Sequence, residues 1–225
     1  MIVVAVPVKD LVNAKQRLVP VLAPPDRATL AAAMLRDVLR ALSSARVTEV
    51  WVVTRDAAVS GLAREFGCRI VSESDNRGHT AAVAAAQRRA GDVGARIFVT
   101  VPGDVPCVGA GEIDALVAAV ADEPRAVAFA PSRSGLGTNG AALTPPDALA
   151  LTFGEPSFQA HLAVARHAGF TPRVLPLPGL ALDIDTALDL QVLLADGPTT
   201  ESARLVAGWS MGARVAAVLS GGPAR

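Results

Sequence analysis

The 225-residue chain has no tyrosine, only 4% aromatic residues, two cysteines and two lysines. Each shortage excludes something. Cys68 and Cys107 cannot build a disulfide framework, and neither lies in a Cys-x-x-Cys pair of the kind that holds zinc or runs redox chemistry. The reducing cytoplasm is therefore the expected compartment. Net charge is missing too: Lys+Arg and Asp+Glu both number 21, so the overall field needed to gather a nucleic acid or an anionic membrane is absent. No apolar run escapes Arg, Asp, Pro or Gly for the ~18 residues of a membrane span, and the apolar start, Met1 to Pro7, is too short for a signal segment. These shortages predict a soluble protein with small-molecule partners; whether it forms a homodimer they leave open.

What is present is a chain 51% hydrophobic and rich in alanine and aliphatic residues, enough for one sizeable core. Ile2 to Val6 reads as a buried strand stopped by Pro7. Leu30, Met34, Val38 and Leu42 recur every four residues behind a Pro25-Asp26 start and mark an amphipathic helix. Val50 to Val53, Arg69 to Val71, Ile97 to Val101 and Val127 to Ala130 read as further strands, separated by helices over 57–66, 80–90 and 111–120. Strands apolar on both faces that alternate with helices predict an α/β fold: three layers around a mostly parallel sheet. Residues 131–185, rich in Gly, Pro, Ser and Thr, read as an insertion over the carboxyl ends of the strands, where open α/β sheets bind ligands. Short strands are expected at 141–143 and 173–175, and helices at 157–167 and 186–194. The expected single domain is 1–196, with 197–225 an appended helix or tail.

Three groups of residues could carry chemistry. Asp104, in Pro102-Gly103-Asp104-Val105-Pro106, is delivered on a tight turn at a strand's carboxyl end. Asp183 and Asp185 are spaced i, i+2, which on an extended segment points both to one side. Mg²⁺ is held by one or two carboxylates plus phosphate oxygens, so these three acids could seat one or two ions against a nucleotide. The ordinary alternatives stay open: Asp104 as a turn former and Asp185 as the N-cap of the next helix. Lys9 and Lys15, the only lysines in an arginine-rich chain, stand with Arg17 just after the first strand, where cations could neutralise a triphosphate. Gly135 to Gly140 and Phe153 to Phe158 are small-residue segments carrying hydroxyls, and Ser157 opens a helix as a seat for an anion or as a simple N-cap.

Two tempting motifs are set aside. No Walker A or Gly-x-Gly-x-x-Gly sequence follows the first strand. Gly208-Trp209-Ser210-Met211-Gly212 matches the nucleophile elbow Gly-x-Ser-x-Gly, but the thirteen residues after it contain no Asp, Glu or His to complete a triad. His161 and His167 read as packing or surface residues.

Six ordered motifs resemble one family over residues 3–195: Val6-Pro7-Val8-Lys9 with Ala14-Lys15-x-Arg17-Leu18, Ala33-Met34-Leu35-x-Asp37-Val38-Leu39, Gly103-Asp104-x-Pro106, Gly137-Thr138-Asn139, Phe153-Gly154-x-x-Ser157-Phe158, and Leu180 to Thr186. The family is the guanylyltransferases of coenzyme F-420 biosynthesis. The resemblance implies a nucleotidyltransferase fold of the glycosyltransferase-A type, with GTP near Lys9, Lys15, Arg17, Gly78 and Thr80 and Mg²⁺ on Asp104, Asp183 and Asp185. It implies catalytic roles for Lys15 and Asp104, and a small phosphorylated acid near Thr138, Gly154 and Ser157. The acid could be phosphoenolpyruvate, the leading expectation, or 2-phospho-L-lactate or 3-phospho-D-glycerate. Where the family commonly has Gly-Leu-Asn, this chain has Gly78-His79-Thr80, near the expected base or ribose. The competing expectations are a metal-dependent glycosyltransferase on the same fold and a nucleotide-binding protein without catalysis.

Overall fold

The structure is a computed structural model that describes residues 1–72, 78–196, 199–209 and 218. The Gly-x-Ser-x-Gly serine, Ser210, lies outside the described residues. The strands are β1 (Ile2–Pro7), β2 (Glu49–Val53), β3 (Arg69–Val71), β4 (Ile97–Thr100), β5 (Ala126–Pro131), β6 (Thr138–Thr144) and β7 (Arg173–Val174). They form one sheet in the order β3-β2-β1-β4-β6-β5-β7. All neighbours are parallel except β6, which runs antiparallel to both β4 and β5. The mostly parallel sheet expected from the buried strand patterns is the one observed.

Helices cover both faces, which is why the strands are apolar on both sides. On one face α1 (Pro24–Ser43), α2 (Ala57–Glu65) and α4 (Ala110–Ala121) pack Leu35, Val38, Leu62, Ile113 and Leu116 against Val4, Val6, Val52 and Val99. On the other, α3 (His79–Asp92) and α5 (Phe158–His167) set Val83, Ala86, Leu162 and Ala165 against Trp51, Phe98 and Phe129. Small alanines on α3 allow close approach to the sheet, and Trp51, Phe98 and Phe129 fill the layer beneath the helices on that face.

Past the short helix α6 (Pro178–Ala181), a third apolar cluster joins the turn Gln16–Leu18, α1, α7 (Ala187–Asp196) and α8 (Glu201–Gly208) around Leu18, Met34, Leu182, Ile184, Leu190 and Val206. Within this cluster α8 docks on α1. Its first turn is tied down from two directions. Thr200 accepts from the Ala203 N–H at 3.0 Å, and the buried Asp37 carboxylate accepts from Glu201 N at 2.8 Å, Ser202 N at 2.9 Å and Ser202 Oγ at 2.8 Å. Together they satisfy N–H groups that a helix start leaves without partners.

Sheet order decides where the site forms. From β1 the chain builds outward to β2 and β3, then returns to place β4 on the other side of β1. Loops leaving β1 and β4 therefore diverge and open a crevice at the carboxyl edge. The segment expected as a glycine-rich loop with a short strand at 141–143 is instead continuous strand from Thr138. Because β6 runs antiparallel, it is its beginning that meets that edge: Ala141 pairs with Thr100, and Thr138 and Asn139 project beyond the end of β4.

Candidate active site

Two cavities meet at Asp104 in this crevice, beside a third of about 470 Å³ that also reaches Arg17, Asp183 and Asp185. The first, about 310 Å³, is walled by Val8 to Leu11, Asn13 to Lys15, Ala31, Met34 and Leu35. The second, about 570 Å³, is walled by Gly78, Thr80, Gly137 to Asn139, Phe153 to Glu155 and Ser157. His79, Pro102, Asp104 and Asp185 line both and mark where the cavities join.

Lys15 is the charged centre of that junction. Its Nζ donates to Asp104 Oδ2 at 2.5 Å and Asp185 Oδ1 at 2.8 Å, and its side chain is only 7% exposed. Burial opposes its charge, but the Asp104 and Asp185 carboxylates outweigh it and hold the Lys15 pKa above the ordinary value. Among the described residues Lys15 is the only non-glycine with positive φ, at 56°. A left-handed lysine costs roughly 1–2 kcal/mol, a strain tolerated where the surroundings over-determine a conformation. Asp185 is not the helix cap. Thr186 and Asp189 cap α7 reciprocally: Asp189 Oδ2 accepts from Thr186 N at 2.8 Å, and Thr186 Oγ1 accepts from Asp189 N at 3.3 Å. Asp185 is thereby left for Lys15 and for Arg17, whose guanidinium stands 3.8 Å away. Burial raises the Asp185 pKa, yet Lys15 and Arg17 bring it below the usual carboxylate value.

Asp183 and Asp185 do project to one side, because Leu182 and Ile184, which alternate with them, are anchored in the third apolar cluster. The Ile184 N–H donates to the Asp104 carbonyl at 3.1 Å and brings the two acidic segments together. Asp183 accepts from Asn139 Nδ2 at 2.9 Å. Burial, reinforced by the charges of Asp104 and Asp185, raises its pKa despite that bond. No three Asp, Glu, His or Cys side chains among the described residues form a metal cage by themselves. The donor chemistry nonetheless fits magnesium, which takes one or two carboxylates and completes its shell with water and substrate phosphates. Asp183 lacks the ammonium that engages the other two.

Lys9 is exposed on the first cavity. Arg17, Gly78 and Thr80, expected with the nucleotide, line the second cavity beside Thr138, Gly154 and Ser157, so only Lys9 and Lys15 of that set line the first. Gly78 (φ 92°) and Gly154 (φ 130°) occupy backbone conformations that residues with a Cβ avoid. Thr80 Oγ1 accepts from the Phe153 N–H at 2.9 Å and holds the Phe153–Gly154 wall against α3. Ser157 is at the N-cap position without a side-chain cap bond; its Oγ accepts from the Thr138 N–H at 3.1 Å instead. The reason is placement: β6 brings an edge N–H into reach, and Ser157 is only 4% exposed.

Sequence reasoning gave no separate role to Asn139, although it stood in a quoted motif. Its amide donates to Leu180 O, Ala181 O and Asp183 Oδ1 and holds the acidic segment to β6. Asp56 was also missed: it caps α2 through Ala58 N and Val59 N and accepts from Leu11 N in the lysine loop at 3.3 Å. His161, read as a packing or surface residue, is buried and bonded through both ring nitrogens.

A family model described as "Guanylyl transferase CofC like" matches residues 2–214. The chain belongs to this family. A phosphoenolpyruvate guanylyltransferase from Sphaerobacter thermophilus is 42% identical over 204 residues, covering 89% of this chain and 96% of the relative. A 2-phospho-L-lactate guanylyltransferase from Methanothermobacter thermautotrophicus is 35% identical over 199 residues, covering 88% and 86%. Among solved structures, a Desulfovibrio desulfuricans protein named as a nucleotide-diphospho-sugar transferase superposes with TM-score 0.78 over 96% of each chain at 16% identity. The CofC-like chain thus has the nucleotidyltransferase type of fold that its motifs implied.

Proposed function

We propose that the protein is a GTP-dependent guanylyltransferase that joins GMP to a small phosphorylated carboxylic acid, phosphoenolpyruvate first among the candidates, and releases pyrophosphate. The observation that carries this is the Lys15 ammonium held between Asp104 and Asp185 where two cavities join. Membership of the CofC-like family and the 42% identity to a phosphoenolpyruvate guanylyltransferase support the choice of chemistry and acid. The 2-phospho-L-lactate enzyme at 35% keeps that acid in the comparison, and 3-phospho-D-glycerate completes the set.

In this reading GTP occupies the first cavity, its phosphates against Lys9 and Lys15, and the acid occupies the second against Thr138, Gly154 and Ser157. The acid's phosphate oxygen attacks the α-phosphorus where the cavities meet; one P–O bond forms as the bond to pyrophosphate breaks. That oxygen is already anionic, so no side chain needs to remove a proton. The barrier is mainly the approach of anion to anion, which Lys15 lowers and which its two carboxylate contacts keep correctly placed. Asp104, Asp183 and Asp185 would hold magnesium. When bound, the ion supplies charge neutralisation and polarises the phosphate oxygens. Met34 and Leu35 give the first cavity part of its apolar wall.

Pyrophosphate release from GTP and Mg²⁺ with each acid in turn tests the proposal. Release with one acid, and its loss when magnesium is chelated, is expected. Release with no acid despite measurable GTP binding would refute it and favour a binding protein; turnover only with a nucleotide sugar would favour a glycosyltransferase.

A further inference from the structure

His161 is only 2% exposed, and its bonds fix where its proton sits. The Thr152 N–H points at Nε2 at 3.0 Å, and a backbone N–H can only donate, so Nε2 is an acceptor. In the neutral ring the proton is then on Nδ1, which lies 2.9 Å from Thr138 Oγ1 and donates to it. Phe129 stacks on the ring at 5.2 Å with the planes 5° apart, and Phe153 meets it edge-on at 5.3 Å, so the imidazole cannot swing. Burial pushes the His161 pKa down to about 4 and keeps the ring neutral at ordinary pH.

Ser157 completes the arrangement. Its oxygen accepts from the Thr138 N–H at 3.1 Å, and its hydroxyl hydrogen is directed at Thr138 Oγ1 at 3.4 Å. Thr138 Oγ1 therefore receives two hydrogen bonds, one from His161 and one from Ser157, and a hydroxyl oxygen has two lone pairs. Its own hydrogen must leave in the remaining direction, and Thr138 lines the second cavity. A hydroxyl that can only donate selects a ligand oxygen that can only accept, such as a carboxylate or phosphate oxygen.

We propose that His161 is a positioning residue that makes the Thr138 hydroxyl an obligate donor to an anionic oxygen of the acid substrate. The identity of that acid rests on the function proposed above. His161 touches neither substrate nor metal carboxylates; it acts through Thr138 alone, and the Thr152 N–H sets its tautomer.

The test compares wild type with His161→Asn and His161→Leu. An asparagine amide can reach where Nδ1 stands and keep the donor to Thr138, whereas leucine fills the space and keeps none. The expected result is a KM for phosphoenolpyruvate within about threefold of wild type for His161→Asn and raised about tenfold or more for His161→Leu, the size of one lost hydrogen bond to a charged acceptor. The KM for GTP should stay near wild type in both. Equal KM values for the acid in both variants, or a parallel rise in the KM for GTP, would overturn the inference. Nitrogen-15 NMR of the free protein reads the tautomer directly, independently of activity. An Nδ1-protonated His161 is expected, and an Nε2-protonated or charged ring would overturn the proposal. Failure of the proposed function is separately visible, as wild-type protein that releases no pyrophosphate with any acid.

Discussion

Replacing Asp37 by alanine should destabilise the protein by more than any surface substitution, although Asp37 stands outside both cavities. Asp37 is 6% exposed, and its carboxylate receives bonds from Glu201 N, Ser202 N and Ser202 Oγ at 2.8–2.9 Å, and from Arg40 Nη1 at 3.0 Å. Hydrogen bonds to a charged group contribute roughly 1.5–3 kcal/mol each, and the two helix-start N–H groups of α8 would be left without an acceptor. Simple addition overshoots, because α8 can lift from α1 and let water reach those groups. Lifting exposes Val206 and Ala203, which are buried, and the faces of Leu190 and Leu193 beneath them; fully burying one such large aliphatic side chain is worth about 1.5–3 kcal/mol. The net loss should therefore be about 3–4 kcal/mol. For a chain of this length that corresponds to a fall in Tm of about 6–16 °C. Thermal denaturation followed by circular dichroism measures it, and hydrogen exchange should show residues 201–208 losing protection first. A Tm within about 2 °C of wild type would refute the reasoning, because it would mean that the carboxylate contributes no more than an exposed ion pair.

Asp104→Asn should lower pyrophosphate release by on the order of 10²-fold or more in a protein that remains folded, and near-normal turnover would end its assignment to the metal and to Lys15. Ser157→Ala and Thr138→Val should both raise the KM for the acid and leave that for GTP unchanged, measured by initial rates; movement of the GTP constant alone would mean the two cavities are assigned the wrong way round. His161 has a folded-state pKa of about 4 against roughly 6.5 when unfolded, so only the unfolded chain takes up its proton as pH falls between these values. Its contribution is constant above pH ~6.5 and is lost progressively toward pH ~4, by up to about 3 kcal/mol, so denaturant titrations should show a shallower acid loss in His161→Asn. Truncation after residue 196 should leave turnover per folded molecule intact, because α8 brings no group into either cavity, while lowering Tm through loss of α8 from the third cluster.

Much of the fold was legible locally. Val3 to Val6 and Val50 to Val53 could only be strands buried on both faces, and the four-residue recurrence from Leu30 to Leu42 could only be a helix with one apolar side. The alternation of such elements led to a mostly parallel sheet. The two-residue spacing of Asp183 and Asp185, alternating with Leu182 and Ile184, also carried its meaning in sequence, since a period of two separates apolar anchors from acids on any extended segment. The concentration of both lysines in one loop marked that loop before its contacts were known.

Other features were decided only by tertiary structure, because they depend on which segments the sheet brings together. Nothing local announces that β6 reverses direction, and it is that reversal which carries Thr138 and Asn139 to the carboxyl edge. Ser157 and Asp185 both sit where helix caps belong by sequence; each was drawn into another bond because a distant group, the Thr138 N–H or the Lys15 ammonium, reached it. The same holds for His161, whose neighbours Thr138 and Thr152 fix a proton that no sequence pattern locates. Periodicity and turn chemistry act over a few residues and are written in the chain. Hydrogen-bond partnership across 89 residues, as between Lys15 and Asp104, exists only after the sheet order has closed the distance.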